Sequence, residues 1–378
     1  MTTAVIRALG SLAHEAAHAP APAGCDCPPP VVLADRADGT VVRSGAVVAK
    51  AHAPGTDTAA LAARLWLSAR PALADVLLAP LPVPARRPAA SVTAIGRPAQ
   101  PSPYLVELHG RPVTLWPYGE PVDPGDPDAA PWEEAAALLA RLHNTALPAP
   151  ALPAPALPAP ALPASALPAS ALPASALPAS ALPAPALPAS ALPVMRGPAK
   201  AALAVDRMRA ARPGDPSTGP VLAAWQRLPG WARDETPAPA DRARFLCHGD
   251  LHLGQLVRHP APRGGWLLID IDDAGIGDAS WDLARPAAWY AAGLLPPDVW
   301  LRFVDAYRAA GGPALPAVGD PWPELDVAAR ALTVQTAALA LAKSAAEGRD
   351  PDEVEQMMIG SCARIAALPP ELAAGSAS

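Results

Sequence analysis

A run of short repeats divides this chain of 378 residues. Residues 146–190 are nine consecutive units of Ala-Leu-Pro-Ala-Pro or Ala-Leu-Pro-Ala-Ser, and a partial unit ends at residue 193. A proline in every unit removes a backbone donor and disfavours the helical conformation at the preceding residue. The period is also far shorter than the roughly 20 residues of the smallest solenoid repeat. We therefore predict that 146–193 is a low-complexity, polyproline-II-like or irregular insertion between folded parts.

Composition and charge exclude several classes of protein. Acidic residues outnumber basic ones by 35 to 29, which argues against a general binder of nucleic acid or anionic membrane. We expect no transmembrane helix, and the first 19 residues have the pattern of a short amphipathic helix rather than a signal peptide. The four cysteines match neither a disulfide framework nor a zinc site, which favours a reduced, cytoplasmic protein.

The part of the chain before the repeats is rich in predicted strands. Residues 31–50 predict three short strands, with a tight turn at Asp38-Gly39. Residues 57–69 have helical composition, and 104–118 predict a second hairpin that turns at His109-Gly110.

Helical patterns dominate after residue 119. They are expected at 131–144, 220–228, 281–293, 297–310, 324–346 and 352–367. Two strand-like apolar runs, 245–250 and 265–273, lie among them, and each ends in polar residues. A strand-rich front and a helix-rich back predict a two-lobed α+β enzyme.

The main candidate functional residues lie at the ends of these two runs. Asp250 ends the first run and Gln255 lies five residues later, while Asp270 and Asp272 end the second run. If the runs are adjacent strands of one hairpin, Asp250, Gln255 and Asp270 meet at one end. Strand alternation would then place Asp270 and Asp272 on the same face. Phosphoryl transfer needs such a set, with a carboxylate for the attacking hydroxyl, oxygen ligands for Mg²⁺ and a lysine for the nucleotide phosphates.

The segment HGDLHLGQ, followed by LLIDIDDAGIGDASWDLA, resembles the catalytic region of the aminoglycoside phosphotransferase family. Its spacing is similar to the protein-kinase loop H-R-D-L-x-x-x-N. The resemblance implies a protein-kinase-like fold with a small β-rich N-lobe and a larger helical C-lobe. It also implies that Asp250 is the catalytic base, that Gln255 and Asp270 bind metal, that His252 contacts the γ-phosphate and that Asp282 anchors the loop.

The resemblance extends to the N-terminal part of the chain. VVRSGAVVAK is similar to the family's strand that carries the nucleotide lysine, which makes Lys50 that residue. TLWPYGE is similar to the hinge whose backbone binds adenine, so Trp116 and Tyr118 are expected to contact the nucleotide. Only two other lysines are present, Lys200 and Lys343, and both are expected to be solvated.

The expected organisation has four parts. They are an N-terminal helix and Pro-rich lead (1–30), an N-lobe with hinge (31–119), a helical C-lobe (120–372) and the insertion within it (146–193). The implied activity transfers the γ-phosphate of ATP, with Mg²⁺, to a hydroxyl of an amino sugar, sugar or aminoglycoside-like molecule. No nucleic-acid or membrane partner is expected, and the oligomeric state stays open.

Three features depart from the family pattern. Gln255 replaces an asparagine, as in the maltokinase and glucosamine-kinase branches, which favours an active variant. No glycine-rich loop precedes Lys50. The following helix has no glutamate to pair with that lysine, so Asp57 is either its partner or a helix N-cap.

Two other functions stay open on the residues alone. A binuclear metal phosphohydrolase would use His248, Asp250 and His252, but only His259 follows as a further histidine ligand. A weakly catalytic, kinase-like nucleotide-binding module is favoured by Gln255 and by the missing helix glutamate. Nucleotide binding without phosphoryl transfer would support that second alternative.

Overall fold

The computed structural model describes residues 2–18, 28–36, 39–84, 102–147 and 192–369. These residues form an N-lobe built on a five-stranded sheet and a C-lobe of helices with two small sheets. The predicted two-lobed α+β fold is confirmed. The repeats from residue 148 to 191, Asp38 in the first predicted turn, and Cys25 and Cys27 lie outside the described residues.

The N-lobe sheet is antiparallel and has the strand order β1-β2-β3-β5-β4. Its strands are β1 (Val31–Asp35), β2 (Gly39–Ser44), β3 (Val47–His52), β4 (Val106–Leu108) and β5 (Arg111–Pro117). The turn between β4 and β5 places both His109 and Gly110 at positive φ. The predicted strands and the second hairpin are therefore confirmed.

Two helices belong to this lobe. The amphipathic helix α1 (Thr2–Ala17) is confirmed, and it buries Val5, Leu9 and Leu12 against the sheet. Helix α2 (Thr58–Ser68) follows β3 and contacts the C-lobe, where Arg64 Nε donates to the carbonyl of Ala274 at 2.7 Å. The first helix is thus part of the hydrophobic core of the N-lobe.

The hinge joins the lobes through a second, three-stranded sheet of order β6-β8-β9. The short strand β6 (Glu120–Pro121) follows β5 and pairs with β8 (Leu256–His259), which pairs with β9 (Gly265–Leu268). Gly119 packs directly on β8, because a Cβ at this position would lie 2.5 Å from a methyl group of Val257. The hinge is therefore held against β8, the strand that directly follows residues 248–255.

The C-lobe contains all the helices predicted after residue 119. They are α3 (Trp132–His143), α5 (Gly219–Gln226), α6 (Ser280–Ala292), α7 (Pro297–Ala309), α8 (Trp322–Glu347) and α9 (Glu353–Ala367). The sequence did not lead us to expect α4 (Gly197–Ala211), which begins four residues after the last repeat. Its alanine-rich sequence has only a weak apolar stripe, and packing against α8 stabilises it.

The strand pairing around residues 248–255 differs from the prediction. The first run forms β7 (Ala243–Cys247), which pairs with β10 (Gly275–Asp278) and not with the second run. The second run forms β9, whose partner is β8. The single hairpin expected from 245–250 and 265–273 is therefore wrong, because each run pairs with a strand that the sequence pattern did not show.

Helix α8 bears on the expectation that no helix spans a membrane. It has 26 residues and contains an 18-residue window with a mean hydropathy of 1.3, enough in length and composition to cross a membrane. However, 67% of that window is buried inside the protein. Much of its apolar character comes from alanines that pack against α4 and α6, as in a core helix.

Candidate active site

Lys50 reaches from β3 in the N-lobe to two carboxylates of the C-lobe. Its Nζ lies 2.7 Å from Asp270 Oδ1 and 2.9 Å from Asp272 Oδ2. Burial disfavours the ammonium form, but the two carboxylates outweigh it and raise the pKa of Lys50 above its ordinary value. The side chain therefore stays charged between the lobes.

Asp272 connects this lysine to the hinge through a chain of polar contacts. His52 Nδ1 lies 3.0 Å from Asp272 Oδ2, and His52 Nε2 lies 3.0 Å from Thr114 Oγ1. Trp116 Nε1 donates to the same threonine hydroxyl at 2.9 Å. Although burial opposes it, the charge of Lys50 holds the pKa of Asp272 well below its usual range.

Asp57 is not the partner of Lys50. Its carboxylate accepts hydrogen bonds from the backbone N–H groups of Ala59 and Ala60, at 2.9 and 3.0 Å, and caps α2. Of the two alternatives for Asp57, the N-cap is confirmed and the ion pair is wrong. Lys50 instead contacts Asp270 and Asp272, two carboxylates that follow β9.

Asp270 and Asp272 share Lys50 for a reason other than strand alternation. Asp270 has a left-handed backbone with φ of 62°, and Ile271–Asp273 form a single 3₁₀ turn directly after it. The turn brings both carboxylates to the same ammonium group. The expected grouping is present, but the proposed geometry of an extended strand is wrong.

Asp250 lies just after β7 and is held by two cations. Its Oδ2 is 2.6 Å from Lys200 Nζ, and its Oδ1 is 2.6 Å from Arg285 Nη2. Burial acts to raise the pKa of Asp250, but Lys200 and Arg285 outweigh it and lower the pKa to about 2. The carboxylate is therefore ionised at neutral pH.

Lys200 was expected to be solvated, and the structure corrects this. It lies in the first turn of α4, where its Nζ is also 2.7 Å from Asp273 Oδ2. Its side chain is only 26% exposed. Burial disfavours its charge, yet Asp273 and Asp250 raise the pKa of Lys200 above the ordinary value. Lys343, by contrast, is exposed on α8, as predicted.

Asp282 anchors the loop that carries Asp250, as expected. It lies in the first turn of α6, and its carboxylate accepts from the backbone N–H groups of His248 and Gly249 at 2.6 and 2.7 Å. His143 Nε2 lies 3.0 Å from the same carboxylate, whose side chain is fully buried. This contact outweighs burial and lowers the pKa of Asp282, so the anchor stays ionised.

Gln255 and His252 lie side by side in the same loop. Gln255 is 8% exposed, and its Nε2 lies 3.2 Å from His252 Nε2. Gly254 leaves room for this ring, because a Cβ there would be 2.9 Å from it. Burial, assisted by the nearby Arg285, lowers the pKa of His252 to about 4, so the imidazole is neutral at pH 7.

The pairing of β8 with β9 brings the two predicted metal ligands to one end of that hairpin. The backbone N–H of Ile269 donates to the carbonyl of Gln255 at 2.9 Å, so Gln255 and Asp270 flank the same pair of strands. An amide oxygen and a carboxylate oxygen are hard ligands of the type that Mg²⁺ prefers. Lys50 engages only Oδ1 of Asp270, so the donor set fits a magnesium ion.

The hinge residues are positioned by both lobes. The backbone N–H of Tyr118 donates to Ala46 O at 2.7 Å, and its carbonyl lies 3.2 Å from His259 Nδ1. The guanidinium of Arg43 lies 3.4 Å from the centre of the Tyr118 ring. Both backbone polar groups of Tyr118 are thus engaged within the protein.

Sequence reasoning missed two cations of this site. Arg285 lies three residues after Asp282 on α6, a spacing that places both side chains on one helix face toward the loop. Lys200 had a weaker signal, its rarity in a chain whose basic residues are nearly all arginine. The fold alone brings α4 to Asp250.

The two lobes, the loop that carries Asp250 and the contact of Lys50 with Asp270 form the arrangement expected of a kinase-like phosphotransferase. A model of the phosphotransferase enzyme family matches residues 40–322, and the chain belongs to that family. A search of curated protein sequences finds no significant match.

Solved structures with a similar fold share little sequence with this chain. Spectinomycin phosphotransferase APH(9)-Ia, in complex with ADP and spectinomycin, has a TM-score of 0.51 at 11% identity, over 96% of this chain and 98% of that one. Amicoumacin kinase hAmiN, in complex with AMP-PNP and Ca²⁺, has 0.51 at 13%, over 89% and 87%. Choline kinase from Cryptosporidium parvum Iowa II has 0.51 at 9%, over 89% and 88%. At these identities the likeness establishes the fold.

Proposed function

We propose that this phosphotransferase moves the γ-phosphoryl group of ATP, with Mg²⁺, to a hydroxyl of a small molecule such as an amino sugar, a sugar or an aminoglycoside-like compound. The observation that carries the proposal is the contact of Lys50 with Asp270 and Asp272 beneath the N-lobe sheet. The proposal assigns phosphate binding to Lys50 and metal binding to Asp270. Their contact supports it, because phosphoryl transfer uses a cation beside a metal-binding carboxylate.

The nucleotide would lie between the hinge and Lys50. Since both backbone polar groups of Tyr118 are engaged, we assign the adenine edge to the neighbouring carbonyl of Pro117 and N–H of Gly119. In extended backbone these groups point to the side opposite those of Tyr118. Trp116 and Tyr118 then contribute walls of the adenine site, and His252 lies near the γ-phosphate.

Asp250 would orient the acceptor. Its ionised carboxylate accepts the hydroxyl hydrogen, the hydroxyl oxygen bonds to the γ-phosphorus, and the bond from that phosphorus to the β,γ-bridging oxygen breaks. The proton passes to Asp250 and ADP leaves. Because its pKa is about 2, Asp250 is a weak base, and its main contribution is positioning in a loose transition state.

Gln255 and Asp270 would hold the magnesium ion. A magnesium ion held there would supply positive charge that neutralises the negative charge developing on the nucleotide phosphates. Lys50 keeps its own contact with Asp270 and provides a second positive charge at the phosphates.

The proposal is tested by measuring ADP release from ATP against a panel of hydroxyl compounds that includes aminoglycosides, amino sugars, hexoses, disaccharides and choline. We expect at least one acceptor to raise ADP release well above the rate in water, and chelation of Mg²⁺ to abolish it. Asp250→Asn is the inactive control. Tight ADP binding with no transfer to any compound would favour the alternative, a kinase-like nucleotide-binding module.

A further inference from the structure

We infer that Lys200 is a further catalytic residue, whose ammonium contacts the transferred phosphoryl group in the step proposed above. The inference rests on the proposed function, and it assigns to α4 a role that the catalytic-loop motif does not contain. Lys200 Nζ lies 2.6 Å from the carboxylate that would orient the attacking hydroxyl. An acceptor oxygen bound to Asp250 would therefore bring the phosphorus within reach of this ammonium.

The loop itself supplies no cation toward that position. Between Asp250 and Gln255 it consists of Leu-His-Leu-Gly, and its histidine lies against the amide of Gln255 at 3.2 Å between nitrogens. A phosphoryl group in transfer spreads negative charge over its three outer oxygens, so a nearby ammonium stabilises the transition state. Lys200 lies outside the loop in sequence, and the fold brings its ammonium to Asp250.

Arg285 is less suited to this task. Its Nε donates to the carbonyl of Leu251 at 2.9 Å while its Nη2 holds Asp250, so the planar guanidinium is fixed at two points of the loop. Lys200 instead bridges Asp250 and Asp273 through one ammonium with three donors. It can exchange one carboxylate for a phosphoryl oxygen and keep the other.

Apolar packing also holds the helix that carries Lys200. Helix α4 buries an apolar face of Ala201, Ala204, Val205 and Met208 in the cluster that includes α8. Its first residue, Gly197, packs against Trp281, since a Cβ there would lie 2.0 Å from the indole nitrogen. These contacts help to hold the start of α4, and with it Lys200, beside Asp250.

During transfer, Lys200 neither gains nor loses a proton. The acceptor oxygen forms the new bond to phosphorus, the bond to the bridging oxygen of ADP breaks, and Asp250 takes the hydroxyl proton. The ammonium of Lys200 moves from a carboxylate oxygen to a phosphoryl oxygen in the same step. Its effect is therefore expected on the transition state and not on bound ADP.

The test compares binding of ADP–Mg²⁺ with binding of ADP–Mg²⁺ plus aluminium fluoride, which mimics the phosphoryl group in flight. Calorimetry is performed on the full chain with Lys200→Ala, Lys200→Met and the exposed-lysine control Lys343→Ala. We expect both Lys200 variants to bind ADP–Mg²⁺ within about twofold of the parent, and the aluminium fluoride complex at least tenfold more weakly. Lys343→Ala should match the parent in both.

The outcomes separate the inference from the proposed function. If the parent binds no ADP–Mg²⁺, the proposed function and the inference fall together. If the parent binds both ligands and the Lys200 variants lose affinity for both equally, or for neither, only the inference is overturned. Thermal unfolding of each variant shows whether it is folded, and Lys200→Met keeps the aliphatic part of the side chain should Lys200→Ala be unstable.

Discussion

Lys50 and Asp270 are 220 residues apart in the sequence, and their side chains meet at 2.7 Å between Nζ and Oδ1. The lysine comes from the N-lobe sheet and the carboxylate from the turn after β9, so this contact spans the two lobes. A nucleotide bound between the lobes would use both groups. The relative position of the lobes therefore decides whether the site is assembled.

Replacing Lys50 tests its role at the phosphates. We expect Lys50→Ala to weaken ADP–Mg²⁺ binding at least tenfold, because loss of a hydrogen bond to a charged group costs about 1.5–3 kcal/mol. Lys343→Ala, which removes an exposed lysine on α8, should leave the affinity unchanged. Isothermal titration measures both, and equal effects of the two substitutions would reject the assignment of Lys50.

Asp250→Asn removes the proposed proton acceptor while it keeps the size of the side chain. We expect kcat for ATP turnover to fall by about 10²–10⁴, with ADP affinity nearly unchanged, because the group acts on the acceptor hydroxyl. The matched control is Asp206→Asn on α4, whose side chain is 68% exposed. A kcat close to that of the parent would show that Asp250 is not the base.

Asp272 is expected to replace the missing helix glutamate as the partner that orients Lys50. Asp272→Asn removes the negative charge that Lys50 and His52 contact, and so weakens the interaction that orients Lys50. We therefore expect kcat/KM for ATP to fall about tenfold. Asp57→Asn is the contrasting variant, because asparagine caps a helix as well as aspartate does. Steady-state kinetics with ATP as the varied substrate would contradict this view if Asp57→Asn were the more damaging change.

Gly249 joins the anchored His248 to Asp250 in a backbone conformation that a side chain would oppose. Its φ is +86°, and a Cβ would lie 2.4 Å from the carbonyl oxygen of Asp273. We expect Gly249→Ala to lower the free energy of unfolding by about 1–3 kcal/mol and to reduce turnover. Chemical denaturation and ATP turnover check both effects.

The control for Gly249 is Gly110→Ala in the β4–β5 turn. Gly110 has a similar φ of +71°, but among the described residues, apart from its own chain neighbours, no atom lies within 4 Å of a Cβ added there. This variant should therefore lose stability from backbone strain and keep full turnover. If it lost activity as Gly249→Ala does, the close contact with Asp273 would not be the cause.

His252 should make stability depend on pH in a definite direction. Its pKa is lowered from 6.5 to about 4, so the unfolded chain takes up a proton near pH 6.5 that the folded protein takes up only near pH 4. This contribution to stability is complete above pH 6.5 and is lost as the pH falls toward 4. Urea denaturation of His252→Gln should show a smaller loss of stability between pH 7 and 4 than the parent, and identical pH profiles would contradict it.

Local sequence patterns predicted most elements but not their partners. The strands of the N-lobe and the β4–β5 hairpin follow from turns between neighbouring segments, which short-range backbone preferences specify. The runs that form β7 and β9 are predicted as strands, yet the single hairpin expected to join them is wrong. Their partners are set by long-range burial that no local pattern records.

The residues of the candidate site also differ in whether a local motif identifies them or only the fold brings them together. Asp250, Gln255 and Asp270 were found because a short motif with fixed spacing carries them. Lys200 was missed because nothing near it in the sequence resembles a site, and only the packing of α4 on α8 brings its ammonium to Asp250.

By itself the sequence determined the two-lobed α+β class, most of the helices and the motif residues, since each depends on local periodicity or on a contiguous motif. Only the tertiary structure decided that Asp272 and not Asp57 pairs with Lys50, and that Lys200 contacts Asp250. These contacts join residues tens to hundreds of positions apart, and their geometry is set by how helices and sheets pack to bury apolar surface.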